Sequence, residues 1–230
     1  MWSFREALAV RKHALGPLHP STARIYNNIG CVYVEFNEFK EARRAFEAAL
    51  DVQRNALCNN ADNGPLLFGT ATTLCNLGYL YRYRDMHGKA VSVLEEAVEL
   101  QERVLGPSHA TVLSTLDNLA DSCANCGNAA DALKHYGVVL IRFRTNRTKQ
   151  KGEENSKLFR AEAVLLYKMS RVYRRQNNRD EQLKMLKSAL QAIRQYSASS
   201  DGRVDTLERR IHYDIRALRE QDEKDELKWI

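Results

Sequence analysis

Along this chain bulky apolar residues recur at spacings of three and four around one small residue, and the whole grouping repeats. Tyr26, Ile29 and Tyr33 enclose Gly30, and Leu74, Leu77 and Tyr81 enclose Gly78. Further on, Leu116, Leu119 and Cys123 enclose Ala120, and Leu166, Met169 and Tyr173 enclose Ser170. This spacing lays an apolar stripe along a helix, and the small residue within it admits a second helix at close range. A second stripe follows each time, on Ala42, Phe46 and Ala49, on Ala90, Leu94 and Ala97, on Ala132, Tyr136 and Val139, and on Leu186 and Ala189. In the fourth group Gln182 stands where the others have alanine, so that helix pair is expected to be the loosest.

Turn residues agree with this division. Asn37, Gly88, Gly127 and Asn177-Asn178 fall between paired stripes and are expected to reverse the chain. Leu15-Gly16-Pro17-Leu18-His19 returns 90 residues later as Leu105-Gly106-Pro107-Ser108-His109, and Phe4-x-x-Ala7-Leu8 returns 42 residues later as Phe46-x-x-Ala49-Leu50. Gly16 and Gly106 are expected to end long second helices, with Pro20 opening the next at its first turn. His19 and His109 share one place in the repeat, which implies a structural role. The segment Cys58 to Leu67 carries three asparagines, a glycine and a proline, and is read as a loop that lengthens the second period. Leu207, Ile211, Ile215 and Leu218 form one stripe on an otherwise charged final helix. A single stripe with a polar back suits the cap of a repeat array, a coiled-coil arm being the rival.

The repeated pattern resembles the tetratricopeptide repeat (TPR) family, and its spacing with Leu-Gly-Pro-x-His between repeats resembles the kinesin light chain type of array. The resemblance covers about residues 4 to 196 and implies an all-α fold, a right-handed superhelical solenoid of antiparallel helix pairs with a C-terminal capping helix. On this reading residues 1–16 are the second helix of an incomplete repeat, and residues 21–57, 68–106 and 110–144 are three repeats. A mobile linker follows at 145–157, then a degenerate fourth repeat at 158–196 and a capping helix at 203–227.

Composition narrows the function classes. No apolar run is long enough to span a membrane, and Arg5, Glu6, Arg11 and Lys12 interrupt the first fifteen residues, so a cytoplasmic protein is expected. Five cysteines at irregular spacing do not make a disulfide framework, and the Cys123-x-x-Cys126 pair lacks the second pair a zinc site needs; both are read as buried helix cysteines. Neither the phosphate-binding glycine loops nor the metalloprotease and serine-hydrolase signatures are present, and the six histidines are scattered, so no enzyme and no cofactor are expected. Residues 1–141 carry a net charge of −2 and residues 142–230 one of +8, which favours an acidic partner for the second part.

In the family that the pattern resembles, first helices of successive repeats line a concave groove that binds extended peptides. The place before Ile29, Leu77 and Leu119 is held by Asn28, Asn76 and Asn118, and by Lys168 in the fourth repeat. A carboxamide both donates and accepts, so such a row can bracket the amides of a partner backbone; the alternative is that it ties neighbouring repeats together. Arg24, Tyr79, Tyr83 and Asp121 lie a turn away, and Arg171 and Arg175 join Lys168 in a cationic cluster. The expected function is an adaptor that grips a protein or peptide, an acidic one being favoured. RNA binding through the basic C-terminal half and self-association through an open N-terminal face are the alternatives.

Overall fold

The computed structural model describes residues 16–147, 153–197 and 206–227, together with 6, 9, 10, 13 and 14. Among these residues the regular structure is entirely helical. The expected half-repeat at 1–16 falls mostly outside them. The chain divides into two compact units, residues 1–127 and 128–230. Unit 1 contains α1 (Pro20–Glu35), α2 (Phe39–Asn59), α3 (Gly64–Tyr83), α4 (His87–Leu105) and α5 (Ala110–Asn125). Unit 2 contains α6 (Ala129–Arg147), α7 (Glu153–Arg175), α8 (Arg179–Ser197) and α9 (Thr206–Leu227).

Within unit 1, α1 packs on α2 and α3 on α4, while α2 also meets α3 and α4 meets α5. A first helix therefore lies between two second helices, which explains why α3 buries Leu66, Ala71, Leu74, Leu77, Leu80 and Tyr81 around much of its girth. By contrast α4 buries the single stripe Ala90, Leu94, Ala97, Val98 and Gln101. The small residues do what their spacing implies. A Cβ on Gly30 would stand 2.5 Å from the Phe46 ring, and one on Gly78 would stand 2.7 Å from a Leu94 methyl. Ala42 and Ala90, the small residues of the second helices, are wholly buried.

Each hairpin turn has a residue in the left-handed region: Asn37 at φ 60°, Asp85 at 54° and Asn177 at 55°, with Gly127 at 88° in the equivalent place. The turn expected at Gly88 is thus made by Asp85, and Gly88 lies inside α4. Backbone bonds close the three non-glycine turns in one way, Glu38 N to Tyr33 O, Met86 N to Tyr81 O and Asn178 N to Tyr173 O, at 2.8, 2.8 and 3.0 Å. This is the Schellman arrangement, and aspartate or asparagine tolerates it because a short polar side chain can interact with the local backbone and offset the Cβ–carbonyl crowding.

The joints between repeats use different chemistry. Gly16 and Gly106 sit at φ 86° and 79°, Gly106 closing α4, and three residues after each a histidine caps the next helix. His19 Nδ1 accepts the Ser21 N–H and His109 Nδ1 the Thr111 N–H, both at 3.2 Å. The shared histidines thereby satisfy donors that the first turn of a helix leaves unpaired. His109→Ala is expected to destabilise by about 1 kcal/mol, the usual effect of losing a cap, whereas His109→Asp restores a cap and leaves the urea midpoint near that of the native protein.

Two predicted loops are shorter than expected. α2 runs to Asn59 and α3 starts at Gly64, because Asn63 caps α3 through its side chain, accepting the Leu66 N–H at 3.0 Å, and Pro65 fits the first turn. Likewise the linker expected at 145–157 is helical through 147 and again from 153, and 148–152 lie outside the described residues. In unit 2, α7 packs on α6 and α8, and α9 on α8. Ala163, Ala192 and Ile193 form a buried cluster that Leu207 of α9 joins, with Ile211 fully buried and Ile215 nearly so. The last helix therefore spends its stripe on its own unit, as a cap does. No described helix is long and apolar enough to cross a membrane.

Candidate functional site

The first helices of unit 1 carry most of the residues singled out from the sequence, and the structure joins several of them by hydrogen bonds. Asn76 of α3 donates through Nδ2 to Asn27 Oδ1 of α1 at 2.9 Å, and approaches Cys31 Sγ at 3.5 Å. Arg82 of α3 reaches α5, where it donates to Asn118 Oδ1 and, at 3.3 Å, to Asp121 Oδ2. Two of the three in-phase carboxamides thus link adjacent repeats, while Asn28 and Arg24 are exposed on α1. Asn76 keeps its oxygen, and Asn118 its amino group, outside these bonds, so each retains hydrogen-bonding capacity toward a partner.

Beside this polar row stand two exposed rings. Tyr79 and Tyr83, 56% and 58% exposed, lie with centroids 6.4 Å apart, one turn from each other on α3. Together with Arg82, Asp85, His87 and Asn125 they line an open cleft of about 520 Å³. Arg82 is central to both features; its place on the Asn76 face beside Tyr79 and Tyr83 was readable from the sequence, but its bonds to the next repeat were not, since the corresponding position of the first repeat is Val34 and the residue does not recur in phase. Its signal was local: a cation two turns beyond Asn76 on the face that carries Tyr79.

A second polar row lies deeper, where it serves cohesion. Gln53 of α2 donates to Thr73 Oγ1 of α3 at 3.1 Å, and Gln101 of α4 to Cys75 Sγ of α3 at 3.4 Å. Cys75 in turn lies 3.6 Å from Thr115 Oγ1 of α5. Burial pushes the Cys75 thiol up from its ordinary range, against hydrogen bonds from Thr115 and Gln101 that pull it down. It stays a thiol at neutral pH, a packing group and not a nucleophile. Cys123 is buried as expected, but Cys126 is exposed, just past the end of α5, where its thiol donates to the Cys123 carbonyl.

Unit 2 holds the cationic residues. Lys168 of α7 sits over the Tyr136 ring of α6, 5.9 Å from its centroid, and Arg171 and Arg175 are exposed on the same helix. Tyr167 ties α7 to the cap: burial raises its hydroxyl pKa most, a hydrogen bond with Asp214 raises it further, and Arg171 and Arg210 oppose this. Arg171 and Asp214 thus both act on the Tyr167 hydroxyl, with opposite sign. Glu162 of α7, nearly buried, accepts from Arg144 of α6 at 2.7 Å. No cluster of three or more potential metal ligands occurs among the described residues.

Paired helices around alanine-sized contacts, Schellman turns within pairs and first helices presenting a polar row define a helical repeat protein. The profile of the tetratricopeptide repeat matches residues 3–55 and 69–140. The chain belongs to the tetratricopeptide repeat family. Among curated relatives it is 28% identical over 119 residues to a clustered mitochondria protein homolog from Candida albicans, covering 52% of this chain and 8% of that protein. It is also 30% identical over 97 residues to protein fem-1 homolog C from Danio rerio, covering 42% of this chain and 15% of that one. The chain thus spans a small part of the relatives it matches. Its fold is shared with a kinesin light chain-type protein of nearly identical TPR-like repeats from Podosopora anserina, at a TM-score of 0.65 and 18% identity, over 83% of each chain. It is shared too with BtubC (BKLC) from P. vanneervenii, at a TM-score of 0.61 and 18% identity, over 94% of this chain and 78% of that one. Proteins of this family generally act by binding other proteins.

Proposed function

We propose that this chain is an adaptor whose α1, α3 and α5 face binds an extended peptide segment. The observation that carries this reading is the pair of exposed tyrosines standing beside the Arg82–Asn118–Asp121 bridge over an open cleft. Aromatic rings on a surface supply a large contact area at low conformational cost, and the carboxamides offer their remaining donors and acceptors to a partner backbone. Asn76 and Asn118 act in both roles, holding repeats in register and meeting the ligand, while exposed Asn28 meets the ligand. By themselves, Lys168, Arg171 and Arg175 on α7 of unit 2 form a cationic surface that favours carboxylates. A cytoplasmic setting goes with this reading, because exposed Cys58 and Cys126 carry free thiols that an oxidising compartment would convert.

Titrating an arrayed peptide library onto the chain tests the proposal. Tyr79→Ala with Tyr83→Ala is expected to weaken the selected peptides by at least about tenfold, as loss of an aromatic anchor does. Neutralising Lys168, Arg171 and Arg175 together is expected to weaken acidic peptides more than neutral ones. Affinity that survives the double tyrosine substitution removes this face as the binding site.

A further inference from the structure

A second cleft opens on unit 1 at the edge formed by its hairpin turns, next to the tyrosine-lined one, with the Phe39 ring 5.1 Å from the Tyr83 ring between them. Phe39, Lys40 and Arg43 of the start of α2 form one wall, and Leu80, Tyr81 and Arg84 at the end of α3 form the other, with Met86 at the base of α4. Its volume is about 200 Å³, enough for one large apolar side chain. Leu80 and Tyr81 are buried beneath it, and Phe39 and Met86 are half-buried. The rim is cationic. Arg84 lies 5.5 Å from the centroid of the Phe39 ring, Lys89 lies 5.9 Å from that of Tyr81, and Lys40 and Arg43 complete the set.

This concentration of positive charge is local. The first 141 residues carry a net charge of −2, so the basic rim is not a by-product of a basic sequence. Among the described residues, the carboxylate paired with a member of the set is Glu47, 3.7 Å from Arg43, and Asp85 nearby faces His87 at 3.6 Å. An apolar floor inside a ring of cations is complementary to an apolar group flanked by carboxylates, and a cation held over an aromatic ring stays partly dehydrated and ready to pair.

We propose that this edge cleft is a docking site for an acidic protein segment that inserts one large apolar side chain between Phe39 and Leu80, with its carboxylates meeting Lys40, Arg43, Arg84 and Lys89. The site adjoins the α1, α3 and α5 face through the Phe39–Tyr83 contact but is lined by different residues. It gives the chain two contacts of different chemistry, one for extended backbone and one for an anchored acidic motif.

The probe is a fluorescein-labelled short peptide of aspartate and glutamate around one central phenylalanine, titrated onto the full chain by fluorescence anisotropy. Two companions are used, one with serine in place of phenylalanine and one with amides in place of the carboxylates. The expected result is saturable binding of the parent peptide alone, weakened about tenfold by Lys40→Glu with Arg84→Glu and unchanged by Tyr79→Ala. Lys40→Glu places an acid in the first turn of α2, where it favours the helix, and Arg84→Glu places one at the exposed C-cap of α3, where it opposes the helix by a similar amount, so the variant keeps its fold, which a melting curve checks. Equal binding of the serine peptide, indifference to the charge reversals, or no binding at all overturns the proposal. So does loss of binding in Tyr79→Ala, which moves the ligand to the other face. Phosphatidylserine vesicles and single-stranded RNA are titrated in parallel; either one bound with the same Arg84 dependence while the parent peptide is not also overturns it.

Discussion

Replacing Ile211 by alanine is expected to loosen the last helix and lower stability by about 3 kcal/mol, within the range usual for truncating a fully buried isoleucine. Ile211 has no exposed surface, and with Ile215 it provides the stripe by which α9 covers unit 2. The loss has two parts: transfer of the removed atoms and the cavity left behind. Because α9 is terminal, part of the effect is local opening, so two readouts are needed. Urea unfolding gives the total, and limited trypsin digestion shows whether Arg209, Arg210 and Arg216 become cleavable before the remainder unfolds. Tyr213, 73% exposed on the same helix, is the control, and Tyr213→Ala is expected to change neither readout. An Ile211→Ala protein as stable and as trypsin-resistant as the native one would show that α9 is not a cap. The variant also carries a titration signature. Burial and the Asp214 bond hold the Tyr167 hydroxyl above its ordinary pKa, so release of α9 lowers the pH at which that phenol ionises. Comparison with the same titration in a Tyr167→Phe background isolates the shift.

The second large effect is expected from Gly30→Ala. Ordinarily this exchange inside a helix stabilises by about 1 kcal/mol, since alanine has the higher propensity. Here the new methyl would meet three atoms of the Phe46 ring at 2.5 to 2.9 Å, and Phe46 is 1% exposed with nowhere to retreat. Overpacking of this kind costs about 1–3 kcal/mol against the propensity gain of about 1 kcal/mol, so a net loss of up to about 2 kcal/mol follows. Gly137→Ala supplies the contrast: nothing lies within 4 Å of its added Cβ, and it is expected to raise the urea midpoint. A double-mutant cycle with Phe46→Leu decides the cause, because a smaller partner relieves the clash and the two changes are then non-additive. If Gly30→Ala proved as benign as Gly137→Ala, close approach would not be the reason for glycine at that place.

Much of the architecture was readable because it rests on local periodicity. Spacings of three and four around Gly30, Gly78, Ala120 and Ser170 located first helices, and the recurring alanines located second ones. Errors arose where one residue type serves two ends. Asn63, Gly64 and Pro65 looked like a loop, but the same residues are a cap and the first turn of a helix, and packing of Leu66 and Leu67 settled it as helix. Gly88 drew attention as a turn residue, while the position three earlier, Asp85, takes the left-handed conformation because the Schellman bonds hold it there. The candidate site was less legible. Its phase was visible in Asn28, Asn76 and Asn118, but Asn76 is held by Asn27 and Asn118 by Arg82, partners 49 and 36 residues away that do not share the phase. Repeat spacing identifies equivalent places; it carries no information about hydrogen bonds that cross from one place to another.

The glycine and histidine joints have an evolutionary consequence. Gly16 and His19 close with the same φ region, the same backbone bond and the same 3.2 Å cap as Gly106 and His109. Matching junctions make the stretch between them a cassette: its excision or duplication would rejoin identical ends without disturbing a neighbouring helix. Arrays of this kind can therefore gain or shed modules by recombination, and their reach can change in steps while the glycine and histidine joints stay chemically the same.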